Sequence, residues 1–306
     1  MRLAHQIVAS LGLSLPLVLA GQPSARVSAA PSPATDAMVV TTDWLASHLS
    51  DPNVVVVEVV HELGKRGPHI PGSRALFYRH MTVSRDGLST ELPAPDSLRA
   101  LFEGLGISNA SRVVVYASEA PMATRMLMTL DYLGHQRISY LDGGLPKWTA
   151  EKRALSDEEP TVARGTFTVT PRPDMIATAD WITARLGKQG TAFIDTRTDG
   201  EYNGTGNRSG MPSAGHLQGA RQLEWETLFD SAGGNGLLLK DRAMLRKLFA
   251  DRSHAGDTVV TYCWVGYRAS ATWFAARMLG YDTKFYDGSY QDWQLRKLPT
   301  TAGAQP

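Results

Sequence analysis

The sequence predicts an α/β protein of two domains, each a mainly parallel central sheet with helices on both faces. Three observations lead there. Short β-rich runs alternate with helical patterns along the chain, as in successive βαβ units. Motifs recur in one order at offsets of 137 to 147 residues, a domain-sized period far longer than that of a solenoid. The 306 residues, 43% apolar and 20% charged, are enough ordinary globular material for two cores. A formal net charge of +1 leaves no basic stripe, and aromatic and basic residues do not interleave, so nucleic acid is not expected as a partner.

At the N-terminus, Arg2 precedes an apolar stretch over residues 7–20 that is broken by Pro16. Small residues follow at Ala20-Gly21 and again at Val27-Ser28-Ala29. This pattern reads as a secretory signal peptide over residues 1–29; an uncleaved anchor or a tail is the alternative. The stretch is short of the roughly 20 apolar residues that a spanning helix needs, and no cysteine follows it to carry a lipid. The expected location is periplasmic or secreted, with no membrane attachment after cleavage. Residues 21–33, rich in Ser, Ala and Pro, read as a mobile spacer.

The first copy is expected over residues 38–155, with β-rich runs at 54–60, 113–116 and 138–141. Residues 156–175, with Pro160, Pro171 and Pro173, read as a linker. The second copy is expected over 176–300, with runs at 191–195, 258–262 and 284–286. Five motif pairs carry the repeat: Asp43-Trp44-Leu45 with Asp180-Trp181-Ile182, His69-Ile70-Pro71-Gly72 with His216-Leu217-Gln218-Gly219, Val113-Val114-Val115-Tyr116 with Val259-Val260-Thr261-Tyr262, Leu133-Gly134 with Leu279-Gly280, and Asp142-Gly143 and Trp148 with Asp287-Gly288 and Trp293.

The copies differ where chemistry is expected. Open parallel sheets bind ligands beyond the carboxyl ends of their strands. There the second copy reads Cys263-Trp264-Val265-Gly266-Tyr267-Arg268, and the first reads Ala117-Ser118-Glu119-Ala120-Pro121-Met122. Cys263 is the chain's only cysteine. A lone cysteine is often just a small buried hydrophobe. In a turn that leads into a helix N-terminus, however, successive N–H groups favour an anion and promote the thiolate. An unpaired thiol in an exported protein also needs a purpose. Alanine at position 117 can hold no sulfur, so the first copy is expected to be catalytically silent.

This six-residue loop resembles that of the rhodanese-like sulfurtransferases, and the tandem arrangement resembles the thiosulfate and 3-mercaptopyruvate sulfurtransferases, over about residues 39–299. The related cysteine phosphatases have a loop one residue longer, so the resemblance implies sulfur transfer rather than phosphate hydrolysis. It implies a Cys263 thiolate that takes the outer sulfur of a small-molecule donor as a persulfide and yields it to a thiol or cyanide, or to a protein acceptor, by ping-pong chemistry. No cofactor is implied.

For donor binding, the candidates are the loop residues Trp264, Val265, Gly266 and Tyr267 together with three arginines. Arg268 either faces the donor or caps the base of the loop. Arg197, in Asp195-Thr196-Arg197, either reaches the donor or pairs with Asp195 or Glu201. Arg208 lies in an insertion where the tandem family carries a substrate-binding arginine. Trp264 and Tyr267 are expected to wall the pocket. His216, Asp287, Trp293 and Trp181 have counterparts in the silent copy and are expected to hold the fold. Mercaptopyruvate enzymes resemble one another in a hydroxyl two residues after the cysteine. Thiosulfate enzymes often carry basic residues at these positions, and Trp264 and Val265 match neither pattern. The missing hydroxyl favours thiosulfate, and the missing cations put the weight of donor binding on Arg268 and Arg208. No Cys/His cluster has metal-binding spacing.

Overall fold

The computed structural model describes residues 38–62, 66–206, 215–231 and 236–306. The expected leader, the spacer and Arg208 lie outside the described residues.

The first domain runs β1 (Val39–Val40), α1 (Thr42–His48), β2 (Val54–Val60), β3 (Arg74–Phe77), a hairpin of β4 (Val83–Arg85) and β5 (Leu88–Glu91), α2 (Pro95–Gly104), β6 (Arg112–Ala117), α3 (Ala120–Tyr132), β7 (Ile138–Leu141) and α4 (Gly144–Ala150). Its sheet has the order β1-β7-β6-β2-β3, with every pairing parallel. The second domain runs α5 (Ala179–Thr183), β8 (Thr191–Asp195), α6 (Asp199–Asn203), β9 (His216–Leu217), β10 (Arg221–Gln222), a hairpin of β11 (Phe229–Ser231) and β12 (Leu237–Leu239), α7 (Arg242–Ala250), β13 (Thr258–Tyr262), α8 (Ala269–Leu279), β14 (Asp282–Phe285), α9 (Ser289–Leu295) and β15 (Thr300–Thr301). Its sheet, β10-β8-β13-β14, is parallel throughout.

The repeat extends to the capping groups. Thr41 and Thr178 each accept the N–H of the tryptophan three residues on, at 3.1 Å, which satisfies a donor that a helix start leaves free. Alternation along the strands shows why both sheet faces are covered. Val55, Val57 and Val59 face one core, while Val56 joins Leu45, Tyr116 and Trp148 in another. In the second domain Val259 and Ile194 face the first of these cores, and Val260, Tyr262 and Phe193 face a third. The first core is therefore shared between the domains.

Two helices fill the shared core. α3 is buried from Ala120 to Asp131, including the polar Thr124, Arg125, Thr129 and Asp131, and α8 is buried apart from Arg277. A hydroxyl pair, Thr124 and Ser270 at 2.9 Å, bridges them. Beside it the fully buried Arg125 donates from Nη2 to Asp287 Oδ1 at 2.7 Å and to the Thr90 carbonyl at 2.9 Å. The segment expected as a linker is tied to the first domain. Ser156 exchanges two backbone bonds of 2.9 Å with His69, and the N–H groups of Thr170 and Arg172 reach Leu133 and Tyr132.

The short edge strands β1, β3 and β10 escaped sequence reading because two to four residues carry no periodicity. The run expected at 284–286 begins earlier, at Asp282, because it pairs from there with Thr258 on β13.

Burial pushes the Glu91 carboxyl up to about 7, aided by the charge of Asp287 across the domain junction and opposed by Arg125 and Arg85. Between about 4.5 and about 7 the folded chain keeps a proton that the unfolded chain has released, so this contribution to stability is lost as pH rises. Glu91→Gln removes the dependence. Its urea midpoint is expected to match the parent near about pH 4, rise above it through this window, and hold a constant lead above about pH 7. Parallel curves for the two proteins would contradict the assignment.

Candidate active site

β13 ends at Tyr262, and the chain turns through Cys263 into α8. Cys263 has no exposed surface. The turn requires glycine at one point. Gly266 sits at φ +77°, and a Cβ there would lie 2.8 Å from the Asp287 carbonyl and 3.0 Å from Arg125 Nη1. The loop's carbonyls are held from outside. Those of Cys263 and Trp264 accept N–H groups of Tyr290 and Gln291, in the first turn of α9, at 3.0 and 2.9 Å. That of Val265 accepts the Thr90 hydroxyl from the hairpin of the first domain, and that of Tyr267 accepts the Ser270 hydroxyl at 2.8 Å. With these oxygens engaged elsewhere, the loop's N–H groups can serve an anion at the cysteine.

Arg268 closes the loop. Its two terminal nitrogens each donate to one oxygen of Glu201 at 2.7 Å, a bidentate pair of the strong kind. Glu201 also accepts the N–H and hydroxyl of Thr198 at 3.2 and 3.0 Å, closing a capping box on α6. Burial works to raise the Glu201 pKa, but the bond and charge of Arg268 and the bonds from Thr198 outweigh it and hold the carboxyl down at about 2. Burial works to lower the Arg268 pKa, but the bond and charge of Glu201 help to raise it above its ordinary value.

The other sequence candidates divide. Arg197 is fully buried, pairs with Asp195 at 2.6 Å, donates to the Gly215 carbonyl at 2.8 Å, and stacks 3.9 Å from the Tyr290 ring centroid. Of the two roles open for it in the sequence, the structure gives it the ion pair and leaves it no surface for a donor. Trp264 is 2% exposed and packs against Tyr290 instead of walling a pocket. It shares a face with Tyr262, whose side chain points into the same core of the second domain. Val265 is partly buried and packs against that core. His216 stacks on Tyr202 at 3.7 Å and is buried.

Tyr267 and Arg268 form one side of a cleft of about 510 Å³ whose lining includes Glu119, Glu201, Glu224 and Glu226. The Tyr267 hydroxyl donates to Glu119 at 2.8 Å. Glu119 belongs to the counterpart loop of the first domain, so the alanine loop of one domain is bonded to the cysteine loop of the other. Burial, with the neighbouring charges of Glu226 and Asp199, pushes Glu224 up. Sequence reading missed Glu119, Thr90 and Arg125, because no local motif marks contacts that arise only when the two domains meet. It also missed Ser289, whose Oγ accepts the Cys263 N–H at 3.2 Å. Among the described residues no group of three or more His, Cys, Asp or Glu side chains could hold a metal ion.

A paired α/β fold with a cysteine loop in one half and an alanine loop in the other is the arrangement expected from the resemblance to the tandem sulfurtransferases. The chain belongs to the rhodanese-like domain family, which matches residues 41–151 and 178–296. It is 32% identical over 259 residues to a thiosulfate sulfurtransferase of Pseudomonas aeruginosa, covering 84% of this chain and 93% of the relative. It is likewise 32% identical over 288 residues to the sulfur carrier protein TtuD of Thermus thermophilus, covering 88% and 98%. Among solved structures, YnjE superposes with a TM-score of 0.75 at 21% identity, covering 87% of this chain and 68% of that one. The protein is thus a sulfurtransferase that works between a sulfur donor and an acceptor.

Gly266→Ala is expected to strain the loop at its left-handed residue and against the Asp287 carbonyl. It should lower stability by about 1–3 kcal/mol and slow sulfur transfer more than tenfold. Urea unfolding and steady-state assays check this, and wild-type turnover in the variant would contradict it.

Proposed function

We propose that this protein is exported and moves sulfane sulfur from thiosulfate to a thiol or to cyanide through a persulfide on Cys263. The placement of Cys263 carries this reading: a sole cysteine at the carboxyl end of β13, in a six-residue loop that Arg268 and Glu201 close. The Cys263 thiolate attacks the outer sulfur of thiosulfate. A new S–S bond forms, the old one breaks, and sulfite leaves with the electron pair. An acceptor thiolate or cyanide then attacks the stored sulfur and returns the Cys263 thiolate, which gives two easier steps and ping-pong kinetics.

Thiosulfate is favoured over 3-mercaptopyruvate because Val265 offers no hydroxyl two residues after the cysteine, and because relatives at 30% to 32% identity that the chain spans for 90% or more of their length are thiosulfate sulfurtransferases. A carrier role, in which Cys263 receives and passes sulfur between proteins, is the second reading. It is supported by the likeness to a sulfur carrier protein over 98% of that protein's length. Export rests on the apolar stretch at residues 7–20 and the small residues after it.

Intact-mass measurement after incubation with thiosulfate is expected to show a gain of about 32 Da, one sulfur, absent in Cys263→Ser and discharged by cyanide. A gain with 3-mercaptopyruvate alone would overturn the donor. A persulfide that forms but turns over negligibly with small acceptors would favour the carrier. Expression of the full chain in a Gram-negative host is expected to yield periplasmic protein that lacks the leader through about residue 29; a full-length product in the cytoplasm would contradict export.

A further inference from the structure

Besides the loop that carries the cysteine, the catalytic and silent copies differ at the residue that opens the helix after the Asp-Gly pair. Gly144 opens α4 in the silent domain at φ +52°, and Ser289 opens α9 in the catalytic domain at φ +51°. The shared Asp-Gly and Trp motifs put these two residues at the same place in the repeat. Both therefore adopt a left-handed backbone that glycine takes freely and other residues take at a cost. The silent domain uses glycine there. The catalytic domain uses serine.

Space does not explain the glycine. A Cβ built on Gly144 would meet its nearest atom, the carbonyl oxygen of Ala117, at an ordinary 3.6 Å. Ala117 is the counterpart of Cys263, so the side chain at this position points at the cysteine site in both domains. Only in the catalytic domain is there a side chain to do so. Ser289 is fully buried; its hydroxyl donates to the Tyr286 carbonyl at 2.8 Å and accepts the Cys263 N–H at 3.2 Å. The next two residues, Tyr290 and Gln291, hold the carbonyls of Cys263 and Trp264. One turn of α9 thus grips three backbone groups of two successive residues, Cys263 and Trp264, at the point where the sulfur is carried.

We infer that Ser289 is a positioning residue for Cys263: the catalytic domain tolerates a strained serine at the start of α9 because its hydroxyl fixes the peptide that carries the nucleophile. The hydroxyl proton is already committed to Tyr286, so Ser289 holds the backbone and does not donate to the sulfur. A thiol set adrift at that peptide misses the loop's N–H groups, and a misplacement of about 1 Å costs on the order of a hundredfold in rate. The role in turnover rests on the sulfur-transfer reading above; the positioning itself does not.

The test compares Ser289→Gly, which loses the hydroxyl and relieves the backbone, with Ser289→Ala, which loses the hydroxyl and keeps the strain. Two rates are measured in each full-length protein: persulfide formation from thiosulfate, and alkylation of Cys263 by iodoacetamide at fixed pH, which needs no sulfur donor. Ser289→Gly is expected to melt at a higher temperature than Ser289→Ala. Both are expected to lose about tenfold or more in each rate, so that rate follows the hydroxyl and not stability. Wild-type rates in Ser289→Gly, with a defect confined to Ser289→Ala, would show that the position is structural only and would overturn the inference. If neither the parent nor the variants form a persulfide while alkylation still drops in both variants, the donor assignment fails and the positioning stands.

Discussion

The packing of α3 against α8 governs the rest of the molecule. Each of these helices follows the loop at the sheet end of its own domain, α3 after the silent loop and α8 after the catalytic one. Burying both on all sides joins what could have been two cores into one. The two loops are then held face to face, which is why Glu119 meets Tyr267, Thr90 meets Val265 and Arg125 meets Asp287. The domain that carries no cysteine takes part in the site because it forms half of the scaffold around the Cys263 loop. The buried Arg125–Asp287 pair at 2.7 Å is better read as specifying that junction than as adding much stability, since desolvation offsets most of such a pair's attraction.

Within the site, positive charge is largely committed. Arg197 is taken by Asp195, and Arg268 by both oxygens of Glu201. What remains for an anion at Cys263 is the backbone of the loop, held in shape by bonds to its carbonyls from α9, from the first-domain hairpin and from Ser270. Dipoles fixed in this way need no rearrangement when charge appears on the sulfur, which is the condition under which they stabilise it most. The cleft outside carries four glutamates against one arginine among its described lining residues, so its mouth offers little positive charge to a small anion.

Much of this was legible in the sequence. Strands β2, β6, β7, β8 and β13 stood out as runs of β-branched and aromatic residues, and the repeat was readable from five short motif pairs that recur in the same order, among them Asp-Trp and Asp-Gly. The loop from Cys263 to Arg268 was identifiable because a glycine and a helix start follow a buried strand. Less legible was the partner of each charge. Asp195, two residues from Arg197, and Glu201, four residues away, were equal candidates on spacing, and only the turn into α6 sends Glu201 to Arg268 instead. The faces of Trp264 and Tyr267 were likewise hidden, because a loop has no period from which to read direction. Contacts between the domains have no sequence signature at all: Thr90 and Glu119 lie more than a hundred residues from the loop they hold.

The most direct measurement is a crystal structure of the full-length protein after exposure to thiosulfate. A second sulfur bonded to Cys263 Sγ is expected inside the ring of loop N–H groups, with Arg268 still on Glu201 and Arg197 still on Asp195. An unmodified thiol with thiosulfate bound elsewhere, or a donor held by an arginine that has left its carboxylate, would contradict a site built on fixed backbone dipoles.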